Sequence, residues 1–190
     1  MQPLRSRNRP RGRALAAALL GLLAACSSTP EEARLEPVTW SGVERIHRFG
    51  DVYLASQPSA VGLEVAAARG VRTVADQRLD AETPEFDERA TVVGLGMAYA
   101  NPGFQGPDQL TDAVLAANLG VLRNAERPLL MHCASANRTG AIWLAHRVLD
   151  DRLPFETAVL EARQVGLRSP AYEARVRDYV ERQSPDLAPR

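Results

Sequence analysis

The sequence predicts a single three-layer α/β domain, a central, mostly parallel sheet flanked by helices, on three observations. Short apolar, β-branched runs alternate with segments of helical length, the pattern of strands paired in parallel with helices on both faces. A chain of 190 residues has room for one domain of ordinary size and a short appendage. Hydrophobic residues at 45% and charged residues at 24% match a soluble globular protein and exclude disordered, collagen-like and multi-spanning membrane classes.

The appendage comes first. Residues 3–13 are Arg-rich and residues 14–25 are small and apolar, the charged and hydrophobic regions of an export signal over 1–25. Twelve apolar residues are too few for a span, which needs about 20. Leu23-Ala24-Ala25-Cys26 resembles the lipobox of bacterial lipoproteins, which implies a lipid on Cys26 and a membrane partner through that lipid. Ser27 in place of Asp points to the periplasmic side of the outer membrane within the cell envelope. An ordinary cleaved signal is the other reading. Residues 26–39 read as a flexible tether, and the domain covers 40–184.

All 23 basic residues are Arg, which excludes lysine chemistry, and five of them lie within the first thirteen positions. From Cys26 onward the remaining 18 face 23 acids, a balance of −5, so no overall basic field recruits nucleic acid.

Along the domain, Asp51–Ala55 is a short apolar strand, Ser56–Ser59 a turn, and about 60–69 a helix closed by Gly70. Val71–Ala75 is β-branched and predicts a core strand, which opens into the charged segment Asp76–Glu88. Gly96–Ala100 fits a further strand, and Asn101–Pro107 holds too many breakers for regular structure. Thr111 and Asp112 open a helix to about Asn124, and Arg127–His132 is an apolar strand. The loop Cys133–Asn137 then leads into a helix from about Arg138 to Leu149, with two more helices over 154–165 and 171–182. Ligands in such sheets sit beyond the carboxyl ends of the strands, which brings the 101–107 and 133–137 loops together.

His132-Cys-Ala-Ser-Ala-Asn-Arg-Thr-Gly140 is strand, small-residue loop and helix start in nine residues. The small side chains of Ala134, Ser135, Ala136 and Asn137 let backbone N–H groups turn inward, and the helix adds its positive end, so the loop makes an anion cradle. Cys133 beside Arg138 at a helix N-terminus is placed to act as a thiolate nucleophile. Arg138 offers a planar fork for two phosphoryl oxygens. Thr139 is a candidate donor to the leaving thiolate, and His132 a support for the loop from the strand side. With Cys26 assigned to lipid, Cys133 has no disulfide partner. A buried cysteine that merely packs is the plain alternative.

The segment resembles the signature loop of the cysteine-dependent protein tyrosine and dual-specificity phosphatases: His-Cys, small residues, then Arg-Thr-Gly. Gly42–Pro58 and Gly70–Val74 look like the opening of small bacterial phosphatase-like domains, so the likeness covers about 42–168. It implies a phosphatase-like fold, hydrolysis of a phosphorylated substrate through a phosphocysteine, and no metal or organic cofactor. Four residues separate Cys133 from Arg138, where the phosphatase pattern has five. That shorter loop also resembles rhodanese-like sulfurtransferases, which implies a persulfide on Cys133 as one alternative and an inactive anion-binding module as another. Asn137 stands where phosphatases often have Gly and tolerates the left-handed conformation.

The family's general acid is an Asp on a neighbouring loop, and Asp108, after the Pro- and Gly-rich loop, is the candidate, with a helix cap as its other role. Asp76 at a strand end is the rival. Asp80, Glu82, Glu85, Asp87 and Glu88 read as a solvated approach to a helix without chemistry. His47, His132 and His146 are too dispersed for a metal motif. Ile142, Trp143 and Leu144 read as core.

Overall fold

The computed structural model describes residues 33–82 and 86–184. The export signal, Cys26, Glu85 and the first part of the tether lie outside the described residues. The strands are β1 (Glu36–Pro37), β2 (Ile46–Phe49), β3 (Val52–Ala55), β4 (Thr73–Asp76), β5 (Ala98–Ala100) and β6 (Leu129–His132). The helices are α1 (Ala60–Ala68), α2 (Glu88–Gly94), α3 (Gly106–Gln109), α4 (Asp112–Asn124), α5 (Asn137–Leu149), α6 (Phe155–Val165) and α7 (Pro170–Gln183).

One sheet runs in the order β1-β2-β3-β6-β4-β5. β3, β6, β4 and β5 are parallel, and β1 and β2 extend one edge antiparallel. The edge pair is not expected from sequence. β2, Ile-His-Arg-Phe, is only half buried and carries a weak pattern, and β1 is two residues long. β1 also corrects the tether, since Glu36 and Pro37 pair with Arg48 and His47 in the sheet. The turn from β2 to β3 is Gly50-Asp51, with Gly50 at φ 57 in its first position, a conformation that glycine adopts without a side-chain clash.

Side-chain alternation in β6 and β4 divides the core in two. Leu129, Met131 and Ala75 face a cluster with Leu115, Leu119 and Leu122 of α4, the buried stripe of α5, and the inner faces of α6 and α7. Leu130 and Val74 face the opposite cluster with Leu63 and Ala66 of α1, Val92 of α2 and Trp40. A strand covered on both faces must be apolar along its length, which is why β6 reads Leu-Leu-Met-His and is wholly buried. The three-layer α/β class holds. Several details differ: β4 begins at Thr73 and takes in Asp76, β5 and β6 begin two residues later than expected, α2 is not delimited in the sequence, and the breaker-rich segment ends in the short helix α3. Pro107 is tolerated there because it occupies the first turn, where no helical N–H bond is lost. Among the described residues no helix is long and apolar enough to cross a membrane.

Candidate active site

The parallel strands end side by side, and backbone hydrogen bonds stitch their following loops together. Cys133 N donates to Ala55 O, Gln77 N to His132 O, Gln57 N to Ala134 O and Phe104 N to Gln77 O. Four loops therefore meet around Cys133, including the 101–105 segment, the neighbour expected from sequence.

Cys133 is 1% exposed at the end of β6, and Arg138 lies in the first turn of α5 at 6%. Arg138 Nη1 donates to Glu82 Oε1 at 2.6 Å and to Phe104 O at 2.7 Å, while Nη2 donates to Glu82 Oε2 at 2.7 Å. The carboxylate thus holds the far end of the guanidinium, and Cys133 lies close enough to bear on its charge. Burial works against the Arg138 charge, but the bond to Glu82 and the field of Cys133 outweigh it and raise its pKa. The Glu82 carboxyl is correspondingly held below its ordinary value, first by the bond from Arg138 and against some burial.

The helix cap at Ala136 has φ 65, so the left-handed residue of the loop is Ala136, and Asn137 is the first helical residue. The conformation expected at Asn137 therefore falls one place earlier. Asn137 instead ties the loop to the start of α7, where its Oδ1 accepts from the backbone N–H groups of Arg168 at 2.8 Å and Ser169 at 3.2 Å. Ala134 and Ser135 are exposed on the outer side of the loop.

Thr139 does not carry the role expected of it. Its Oγ1 donates to Gln77 Oε1 at 2.8 Å; Gln77 Nε2 donates to Asn118 Oδ1, and Asn118 Nδ2 to Pro102 O, both at 2.9 Å. All three side chains are fully buried. This relay fixes the loop helix against the 101–105 segment, and the hydroxyl hydrogen is committed to it rather than to the thiolate.

His132 lies on the opposite face, where Nε2 meets Glu88 Oε1 at 2.8 Å. Asp76 accepts from Arg78 Nε at 2.9 Å and Nη2 at 2.8 Å, and Arg78 Nη2 also reaches Glu88 Oε2. Burial tends to raise the Asp76 pKa, but its bonds to Arg78 and the charge of His132 bring it below the ordinary value. A carboxylate so held is a poor proton donor, which removes Asp76 as the rival acid. Asp76, Glu88 and His132 bring ligand-type atoms within 4.8 Å of one another. The cation among them is Arg78, whose guanidinium already neutralises both carboxylates. Glu88 at 4% exposure and Glu82 on Arg138 both correct the view of 80–88 as a solvated stretch without function.

Asp108 is exposed in the first turn of α3, four residues beyond the Phe104 carbonyl that receives Arg138. The cap of α3 is Gln105, so capping is not the role of Asp108. Tyr172 of α7 closes this side, its ring edge-on to Phe104 at 5.9 Å and its hydroxyl at the Gly106 backbone. A cavity of about 590 Å³ beside the loop is walled by Asp76, Arg78, Glu82, Phe86 and Tyr99 among others. A groove of about 1010 Å³, which shares Phe86 with that cavity, runs along Ser56, Gln57, Pro58, Val61 and Ala134.

Sequence reasoning gives no functional role to Glu82, Gln77, Asn118, Arg168 or Tyr172. Gln77 alone carries a signal, as an uncharged polar residue directly after a core strand. The others reach the site through tertiary contacts without a local pattern.

No protein-family model matches the chain, and no curated protein sequence matches it. Solved structures do. TpbA of P. aeruginosa superposes with a TM-score of 0.62 at 22% identity over 83% of this chain and 95% of its own. Tk-PTP in its active form gives 0.59 at 19% over 76% and 99%. The core catalytic domain of the PP-IP phosphatase SIW14 from S. cerevisiae gives 0.60 at 18% over 73% and 86%. At these identities the likeness establishes a fold, that of the protein tyrosine and dual-specificity phosphatases.

Proposed function

We propose that this chain is a phosphatase that hydrolyses a phosphate monoester through a phosphocysteine at Cys133. The observation that carries the reading is the placement of Arg138 in the loop helix beside Cys133, its guanidinium clamped by Glu82 and the Phe104 carbonyl and its charge favoured by the nearby cysteine. The Cys133 thiolate attacks phosphorus, the P–O ester bond breaks, and Asp108 gives its proton to the departing oxygen. Water then attacks phosphorus, its proton passes to the Asp108 carboxylate, and the S–P bond breaks to return thiolate and inorganic phosphate. Arg138 and the inward N–H groups of 134–138 stabilise the charge on the equatorial oxygens in both steps. The relay Thr139–Gln77–Asn118 holds the cradle and the acid-bearing segment in register.

Vanadate-sensitive hydrolysis of an aryl phosphate, measured under reducing conditions for the wild type, Cys133→Ser and Asp108→Asn, tests the reading. Loss in both variants is expected. Activity that survives Cys133→Ser overturns it. Turnover of thiosulfate that needs Cys133 but tolerates Asp108→Asn favours the persulfide reading suggested by the short loop, and phosphate binding without turnover favours the anion-binding module.

The site works, on this proposal, at the bacterial envelope, with the domain anchored by lipid on Cys26. Metabolic labelling with a fatty acid is expected to mark the wild type and to spare Cys26→Ala; equal labelling of both sinks the anchor.

A further inference from the structure

Arg168 lies at the rim of the loop, between α6 and α7. Its backbone is fixed by the bond from its N–H to Asn137 Oδ1 at 2.8 Å, and its guanidinium Nη2 donates to Ser135 Oγ at 2.9 Å. Among the described residues that guanidinium meets no carboxylate and makes only this bond, so the remaining donors face solvent. Ser135 is exposed on the loop, so a group bonded to its hydroxyl stands at the rim of the loop.

The other approaches have the opposite charge. In the cavity on the Glu82 side Arg78 pairs with Asp76 and Glu88 and Arg138 with Glu82, which leaves Asp80 and Asp87 against Arg89, and the groove along Ala134 carries Glu44 as its charged residue. Among the described residues neither cavity offers a free cation to a second negative group near the loop other than Arg89, whereas Arg168 presents one at the rim of the loop itself.

Resting on the phosphatase reading of the loop, we infer that Arg168 forms a second anion subsite, so that the preferred substrate is a phosphate monoester bearing a further phosphoryl or carboxylate group. Arginine suits this role because its planar fork binds either group through paired donors.

Calorimetric binding to the Cys133→Ser protein tests this without requiring turnover, using phenyl phosphate, 3-carboxyphenyl phosphate and 1,3-phenylene bisphosphate. The two probes with a second anionic group are expected to bind about fivefold tighter than phenyl phosphate, the scale of an exposed ion pair. Arg168→Ala should abolish that preference and leave phenyl phosphate within about twofold, since the backbone bond to Asn137 survives. Arg168→Lys should keep part of it. Equal weakening of all three probes by Arg168→Ala, or no change in any, overturns the subsite and leaves the phosphatase reading standing. Failure of phenyl phosphate to bind either protein overturns the cradle and the subsite together.

Discussion

Glu82 decides where the Arg138 charge points. Both residues are largely buried, with side-chain exposures of 22% for Glu82 and 8% for Arg138, so the pair is screened less than a surface bridge. Glu82→Gln keeps the size but removes the charge that holds the far end of the guanidinium. We expect inhibition by vanadate to weaken about tenfold, the equivalent of about 1.4 kcal/mol, with the fold retained. Unchanged inhibition would mean that the Phe104 and Gln77 carbonyls suffice to position Arg138. The pH dependence has a fixed sign: because the Glu82 pKa is lowered on folding, its contribution is complete above the ordinary value of 4.5 and is lost as pH falls through the lower folded value. Thr139 is a second residue-scale test. Thr139→Val leaves Gln77 Oε1 buried without its donor and should cost about 1–3 kcal/mol in urea unfolding, whereas Thr139→Ser should recover most of it. If Val and Ser behave alike, the hydroxyl is not what holds Gln77.

At the scale of elements, α5 is the centre of the packing, with ten of its thirteen residues buried. It passes so close to the end of α6 that a Cβ on Gly140 would stand 2.7 Å from Leu167 N and 2.8 Å from Ala162 O, both backbone atoms that cannot swing aside. Gly140→Ala should therefore destabilise by about 1–3 kcal/mol by overpacking. Gly120→Ala in α4 meets nothing within 4 Å and should stabilise by about 0.5–1 kcal/mol through helix propensity. Thermal midpoints that move the same way in the two variants would refute this contrast. The same elements show what sequence could disclose. β6, the loop and α5 are legible because strand, small residues and helix follow one another within His132–Gly140, each from local chemistry. Edge strands β1 and β2 are not, since two residues and a half-exposed four leave no period to detect. Glu82 and Glu88 escape notice for a related reason: a run of acids resembles a solvated surface, and only tertiary contact with Arg138 and Arg78 makes two of them internal partners.

Across the whole molecule, the sheet separates two polar systems on its opposite faces. Thr139, Gln77 and Asn118 lie with α4 and α5, while Asp76, Arg78, Glu88 and His132 lie with α2, joined by Tyr99, whose hydroxyl donates to Asp76 Oδ2 at 3.1 Å. The second system places charges at the end of β4 and β6, directly beneath the loops that form the site, at 5% exposure or less. Arg78 is the residue on which its balance depends. With Arg78 present, the Asp76 pKa is below its ordinary 3.8, so the unfolded chain binds the extra proton and stability rises with pH across the acid range. Arg78→Met fills a similar volume without charge and leaves the carboxylates buried without the guanidinium that joins them, at a cost of about 3–5 kcal/mol near neutral pH. Burial, the largest influence on Asp76, would then be opposed only by His132, the backbone N–H of residue 78 and the Tyr99 hydroxyl, and should lift its pKa above the unfolded value. The native state would now hold the proton more tightly, and stability should fall as pH rises from about 4 to 7, the reverse of the wild type. Urea midpoints of both proteins over that range decide the matter: slopes of opposite sign support Arg78 as the charge that lets this face of the sheet end in carboxylates, and parallel slopes would show that solvent or rearrangement supplies the compensation instead.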